Sequence, residues 1–185
     1  MNAVRSTIRR DPANLSARLG RGAGLLATGE VDRAIGALDD YLSKDTTNTI
    51  AYVLHGNAML VKGKLDQAIA DFNRALELKS GNADALTGRG LAWLRKKDYG
   101  RALDDLDRAI DDDGGRIASY AARAAVYDAE GKRDLELADL SKAAQLKPKT
   151  IFDLLAQANA KQRVQLLSKQ LPCGTAGGAM NGSCL

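Results

Sequence analysis

TIAYVLHGNAMLVKGKLDQAIADFNRALELKSGN, residues 49–82, is the stretch on which the fold turns. Tyr52, His55, Gly56, Met59 and Leu60 recur at helical spacing, and so do Leu65, Ala68, Ile69, Phe72, Ala75 and Leu76. Between the two runs stands Lys62-Gly63-Lys64, where glycine can take the positive φ that ends a helix. The stretch therefore predicts a helix, a tight turn and a second helix. Asp66 falls at the positive end of the second one.

Moving outward in steps of 34 residues, the same pattern returns. Small residues fall at Gly22, Gly56, Gly90 and Ala124, and turn residues at Gly29, Gly63, Lys97 and Gly131. Large apolar residues keep the same step at Leu25, Met59, Trp93 and Tyr127, and again at Leu38, Phe72, Leu106 and Leu140. A further small slot holds Ala34, Ala68, Ala102 and, out of pattern, Glu136. A glycine inside a helix costs about 1 kcal/mol relative to alanine, so its recurrence needs an offset, and close approach of neighbouring helices supplies one. Four copies follow, at residues 15–48, 49–82, 83–116 and 117–148.

These spacings resemble the tetratricopeptide repeat, a 34-residue helix-turn-helix unit. The resemblance spans residues 15–148. Repeat two fits the pattern best, through Tyr52, Gly56, Met59, Ala68, Phe72 and Ala75, and repeat three follows with Leu86, Gly90, Trp93, Ala102, Leu106 and Ala109. Departures lie toward the ends: Arg18 in an aromatic slot, Tyr41 in a small one, and a closing proline only at Pro148. The expected fold is all-α, an α-solenoid wound as a right-handed superhelix of four hairpins, closed by a C-terminal solvating helix.

Outside the repeats, residues 1–14 read as the remnant of a preceding repeat helix, because Pro12 occupies a closing-proline slot. Residues 149–171 read as the closing helix, and residues 172–185, rich in glycine, as a flexible tail. The chain's 45% apolar content can build a core, and its 4% aromatic share suits helices packed through alanine and leucine. No stretch is apolar enough to span a bilayer, and residues 1–10 lack the apolar run of a signal peptide. The expectation is a cytoplasmic chain, or a secreted or periplasmic one if it is a trimmed fragment. Two cysteines, Cys173 and Cys184, leave the compartment open.

A net charge of +4 invites nucleic acid as a partner. The excess bases, however, are Arg5, Arg9 and Arg10 at one end and Lys147, Lys149, Lys161, Arg163 and Lys169 at the other, without interleaved aromatics. Solvated helix faces are the expected reading, with neither nucleic acid nor membrane as partner. Enzymatic chemistry finds no footing: a lone His55 makes no triad, and the two tail cysteines make no zinc site. Asp104, Asp105 and Asp107, and then Asp111, Asp112 and Asp113, lack the ligand alternation of a calcium loop and read as an exposed acidic face. No cofactor or metal is expected.

One internal ladder precedes the small slot: Arg21, His55, Arg89 and Arg123, with Asp71, Asp105 and Asp139 at matching places on second helices. Pairing of base with carboxylate between neighbouring helices is expected, rather than phosphate binding.

The resemblance implies a protein-interaction module, in which the first helices line a concave groove for a partner's peptide or helix. Carried over position by position, it implies a groove lined by Leu19, Ala23, Leu26, Ile50, Val53, Asn57, Leu60, Val61, Asp84, Thr87, Leu91, Arg95, Ala121, Ala125 and Asp128. Family members that clamp a C-terminal carboxylate use paired Lys, Asn and Arg, of which only Asn57 remains, so an apolar or amphipathic peptide is the expected ligand. Asn57 would reach its backbone, and Arg95 or Asp128 would set its polarity. The alternative is a regulatory or substrate-recruiting arm of a larger enzyme, severed at Met1.

Two local expectations concern the C-terminal end. In residues 149–171 the apolar side changes phase, from Ile151, Leu154, Leu155 and Ala158 to Ala160, Val164, Leu167 and Leu171. The first half is expected to cap repeat four. The second half would then meet either a homodimer partner or, after a bend near Asn159, the protein's own surface. Glu136, in a slot for alanine, is expected to open repeat four and reach water along its stem.

Overall fold

The computed structural model describes residues 12–169. Among them are nine helices and no strand: α1 (Pro12–Ala27), α2 (Val31–Leu42), α3 (Thr49–Val61), α4 (Leu65–Leu78), α5 (Ala83–Arg95), α6 (Tyr99–Asp112), α7 (Ile117–Ala129), α8 (Arg133–Gln145) and α9 (Ile151–Lys169). This is the all-α solenoid of helical repeats that the 34-residue step predicts. The rest of the N-terminal remnant, Leu171, the glycine-rich tail and both cysteines lie outside the described residues. α1 starts at Pro12, ahead of Leu15, because proline's fixed φ and missing amide suit the first position of a helix.

Four hairpins form as α1/α2, α3/α4, α5/α6 and α7/α8, and each second helix also packs on the first helix of the next hairpin. First helices of adjacent hairpins touch directly, as do α7 and α9, whereas no contact of similar extent joins consecutive second helices. A hairpin alone cannot bury both of its apolar faces, so stacking neighbours builds one continuous interior.

Every hairpin turn closes in the same way. Gly63 N–H donates to the Leu60 carbonyl at 3.0 Å and Lys64 N–H to that of Met59 at 2.9 Å, with Gly63 at φ 73°. This pair of bonds satisfies carbonyls that the end of α3 would leave open. Equivalent pairs close the turns at Gly29, Lys97 and Gly131. Lys97 stands at φ 62°, a conformation that costs a residue with a Cβ about 1 kcal/mol. At the other end of the hairpins, Asn48 and Asn82 cap α3 and α5 by accepting from backbone amides.

The mid-helix glycines are explained by what presses on them. A Cβ on Gly56 would lie 2.8 Å from the Phe72 ring, one on Gly22 2.8 Å from Leu38 Cγ, and one on Gly90 2.8 Å from Leu106 Cγ. Phe72 is also gripped from the next repeat, where a Cβ on Gly88 would lie 2.4 Å from its Cζ. The ring is fully buried between two glycines of successive first helices. Gly36 differs, since nothing lies within 4 Å of its Cβ position.

Gly36→Ala should therefore stabilise the array by about 0.5–1 kcal/mol through helix propensity alone. Gly88→Ala should destabilise it by about 1–2 kcal/mol, because overpacking outweighs the same gain. Lys97→Gly should stabilise it by about 1 kcal/mol. Urea denaturation of the three variants checks all three signs.

Candidate interaction surface

At its last three rungs, His55, Arg89 and Arg123, the base ladder pairs as expected and does so on both sides. Arg89 in α5 donates from Nε and Nη2 to Asp105 in α6 at 2.7 and 2.6 Å, and from Nη1 to Asn73 in α4 at 2.6 Å. Arg123 in α7 repeats this, donating to Asp139 in α8 at 2.8 Å twice and to Asp107 in α6 at 2.6 Å. His55 in α3 places Nδ1 2.7 Å from Asp71 in α4 and Nε2 3.2 Å from Asp39 in α2. Each base thus meets the residue 16 ahead, within its own hairpin, and the residue 16 behind, in the previous one. In repeat one the forward place holds Ala37. Asp105 is buried at this rung, so the aspartate cluster of α6 is not wholly an exposed face; Arg89 draws one member inside.

The hydrogen bond with Asp71 raises the His55 pKa above its usual value; burial opposes this and the charges of Asp71 and Asp39 add to it. The stabilisation from a charged His55 is therefore complete below its unfolded pKa of 6.5 and is lost as pH rises through the higher folded value.

The residues expected to line the groove divide into three groups. Asn57, Arg95 and Asp128 are exposed, while Leu19, Ala23, Leu26, Leu91 and Ala121 are half-buried. Val53, Leu60 and Thr87 are buried, and Thr87 shares a hydrogen bond of 2.8 Å with buried Ser119 of the next first helix. They seal one first helix to another and present little surface. Arg95 donates to the Leu60 carbonyl at 2.5 Å, where a cation meets the negative end of α3. Asp128 pairs with Arg163 at 2.8 Å. The apolar groups that do face outward on α3 are Ile50 and Val61, 61% and 64% exposed, with Asn57 between them on the same side.

The C-terminal end corrects two expectations. α9 runs as one helix through Asn159, and it is Ala156, Ala160, Val164 and Leu167 that pack on repeat four. Leu154, Leu155 and Ala158 are exposed. The phase argument is therefore corrected: a single stripe from Ala156 to Leu167 binds repeat four, and Leu154, Leu155 and Ala158 face away. Glu136, likewise, does not reach water. It is 4% exposed and accepts from Arg163 Nε at 2.8 Å, so the closing helix brings the base that makes burial of this carboxylate tolerable. Slot counting would have found α9's orientation, because Ile151 lies 34 residues after Ile117 and Ala156 and Ala160 repeat the places of Ala122 and Val126.

Three acids and two bases, Asp84, Asp113, Asp153, Arg116 and Lys149, line a hollow of about 440 Å³ by the starts of α5, α7 and α9. Arg116 pairs there with Asp84 and lies 3.6 Å from Asp113, so the charges answer one another. Among the described residues no three His, Cys, Asp or Glu side chains gather as a metal site, and no helix is long and apolar enough to cross a membrane.

The family model for the tetratricopeptide repeat matches residues 2–49 and 53–117. The chain belongs to the tetratricopeptide repeat family. No curated protein matches it. Among solved structures, a thermophilic tetratricopeptide repeat protein of Thermus thermophilus superposes with a TM-score of 0.70 at 20% identity, covering 85% of this chain and 87% of that one. MamA gives a TM-score of 0.62 at 24% identity over 87% and 88% of the two chains. YrrB, described as a tetratricopeptide repeat protein with an unusual peptide-binding site, gives 0.59 at 19% identity over 89% and 86%. At these identities the likeness is one of fold.

Two outcomes test the ladder. Stability of the native tetratricopeptide array should fall between about pH 6 and about pH 8.5, and His55→Arg should flatten that slope, since arginine stays charged across it. Urea midpoints at the two pH values provide the check.

Proposed function

We propose that this protein is an interaction module holding a peptide or helix of a partner protein against the side formed by its first helices. Tetratricopeptide repeats are a protein-interaction fold, and the surface follows from the packing. Among the described residues first helices contact their successors more extensively than second helices do, so the array bends with the first helices on the inner side. The observation that carries the reading is the exposure of Ile50 and Val61, flanking Asn57, on that side of α3. Apolar side chains left in water beside an amide that can bond a peptide backbone favour an apolar or amphipathic ligand. Leu91, Leu26 and Ala121 extend the patch to neighbouring repeats, while the buried Val53, Leu60 and Thr87 hold the helices that frame it.

Ile50→Asp and Val61→Asp alter exposed positions and should leave helicity unchanged. Immobilised full-length protein should capture defined proteins from its host's lysate, and each variant should lose them by about tenfold or more. Leu135→Asp, on exposed α8 surface, serves as the control and should capture them unchanged. Capture that survives both inner-side changes overturns the proposal.

A further inference from the structure

α9 begins 34 residues after α7 and sits where the first helix of a fifth repeat belongs. It packs on α8 and α7 as α7 packs on α6 and α5. Ala156 and Ala160 occupy the places through which Ala122 and Val126 meet the preceding second helix. The other side of a first helix receives its own second helix: Gly22 takes Leu38, Gly56 takes Phe72 and Gly90 takes Leu106. On α9 the corresponding place is Ala158, which is exposed. Beside it, Leu154 and Leu155 are 49% and 57% exposed. No described helix covers this side.

From this we infer that α9 is an acceptor for an acidic amphipathic helix of a partner protein, which docks antiparallel to it in the second-helix position of an incomplete fifth repeat. Two observations define the occupant. The internal template is explicit: of α2, α4, α6 and α8, which fill this position in repeats one to four, the first three are amphipathic, and all four carry more acids than bases. The acceptor has the opposite sign: apart from Arg163, which is taken up by Glu136 and Asp128, α9 holds Lys161 and Lys169 against Asp153 alone. A second copy of α9 would set like charges together, and residues 170–185 contain no acidic residue. The partner must also place a large apolar side chain over Ala158. It needs no carboxylate at the ladder place, which in α9 is Gln157, buried and donating to the carbonyls of Ala144 and Leu146 at 3.0 and 2.5 Å. This surface is separate from the inner side of the first helices.

A probe can be cut from the protein itself. Residues 30–45, EVDRAIGALDDYLSKD, include the second helix of repeat one, with Leu38 as the large residue and Ala37 at the ladder place. The capped peptide with Gly36→Ala, titrated into full-length protein by fluorescence anisotropy, should bind saturably. Leu154→Glu combined with Leu155→Glu should weaken it about tenfold or more. Val61→Asp should leave it unchanged, which separates this site from the inner-side surface. A peptide with Asp32, Asp39 and Asp40 replaced by lysine should not bind. The inference is overturned by absence of binding, by binding that the α9 double variant leaves intact, or by a dimer in sedimentation velocity that the double variant dissociates.

Discussion

A large apolar side chain pressed onto a position with little or no side chain holds each hairpin together, and the remaining architecture follows from that contact. Leu38 on Gly22, Phe72 on Gly56 and Gly88, and Leu106 on Gly90 bring helix axes close enough for the neighbouring alanines to pack. Burial of such a side chain contributes about 1.5–3 kcal/mol, more than the about 1 kcal/mol a mid-helix glycine costs. Phe72 extends the principle from one hairpin to the next, since its ring fills a gap walled by two first helices. The array is continuous because its largest residues are shared.

The paired bases add register to this adhesion. A surface ion pair contributes little, but Arg89 with Asp105 and Arg123 with Asp139 are largely buried and bonded in parallel, so removing one partner would strand a charge. Their geometry admits one alignment of α5 on α6 and of α7 on α8, and the backward bonds to Asn73 and Asp107 align each hairpin with the one before. His55 performs the same task with a group whose charge depends on pH. The pairing of α3 with α4 inside repeat two, and to a lesser degree its link to repeat one through Asp39, is thus the pH-sensitive joint of the ladder.

Much of this can be read from the sequence because a repeat samples each environment four times. One glycine in a helix is ambiguous; three at intervals of 34 identify a close approach, and Asp71, Asp105 and Asp139 in step with a base identify a pair. Where an environment occurs once, such reading fails. The slot of Glu136 holds alanine elsewhere and so points its carboxylate to water, yet its neighbour is α9 rather than another repeat, and Arg163 enters from there. The apolar phase of α9 misleads for a related reason: both of its sides are apolar, and periodicity does not say which side meets repeat four. Family position alone would turn Val53, Leu60 and Thr87 toward a ligand, yet all three are buried. Their burial depends on how tightly successive first helices approach, which a slot number does not record.

The rungs spaced at plus and minus 16 make the array indifferent to the number of its units. Removing residues 49–82 would set Arg89 between Asp39 and Asp105, and removing residues 83–116 would set Arg123 between Asn73 and Asp139. Either excision joins a base to two partners of the kinds the ladder already uses. A gene encoding such a chain can gain or lose whole modules by recombination without first evolving new junctions, so reach and curvature become adjustable in steps of one hairpin.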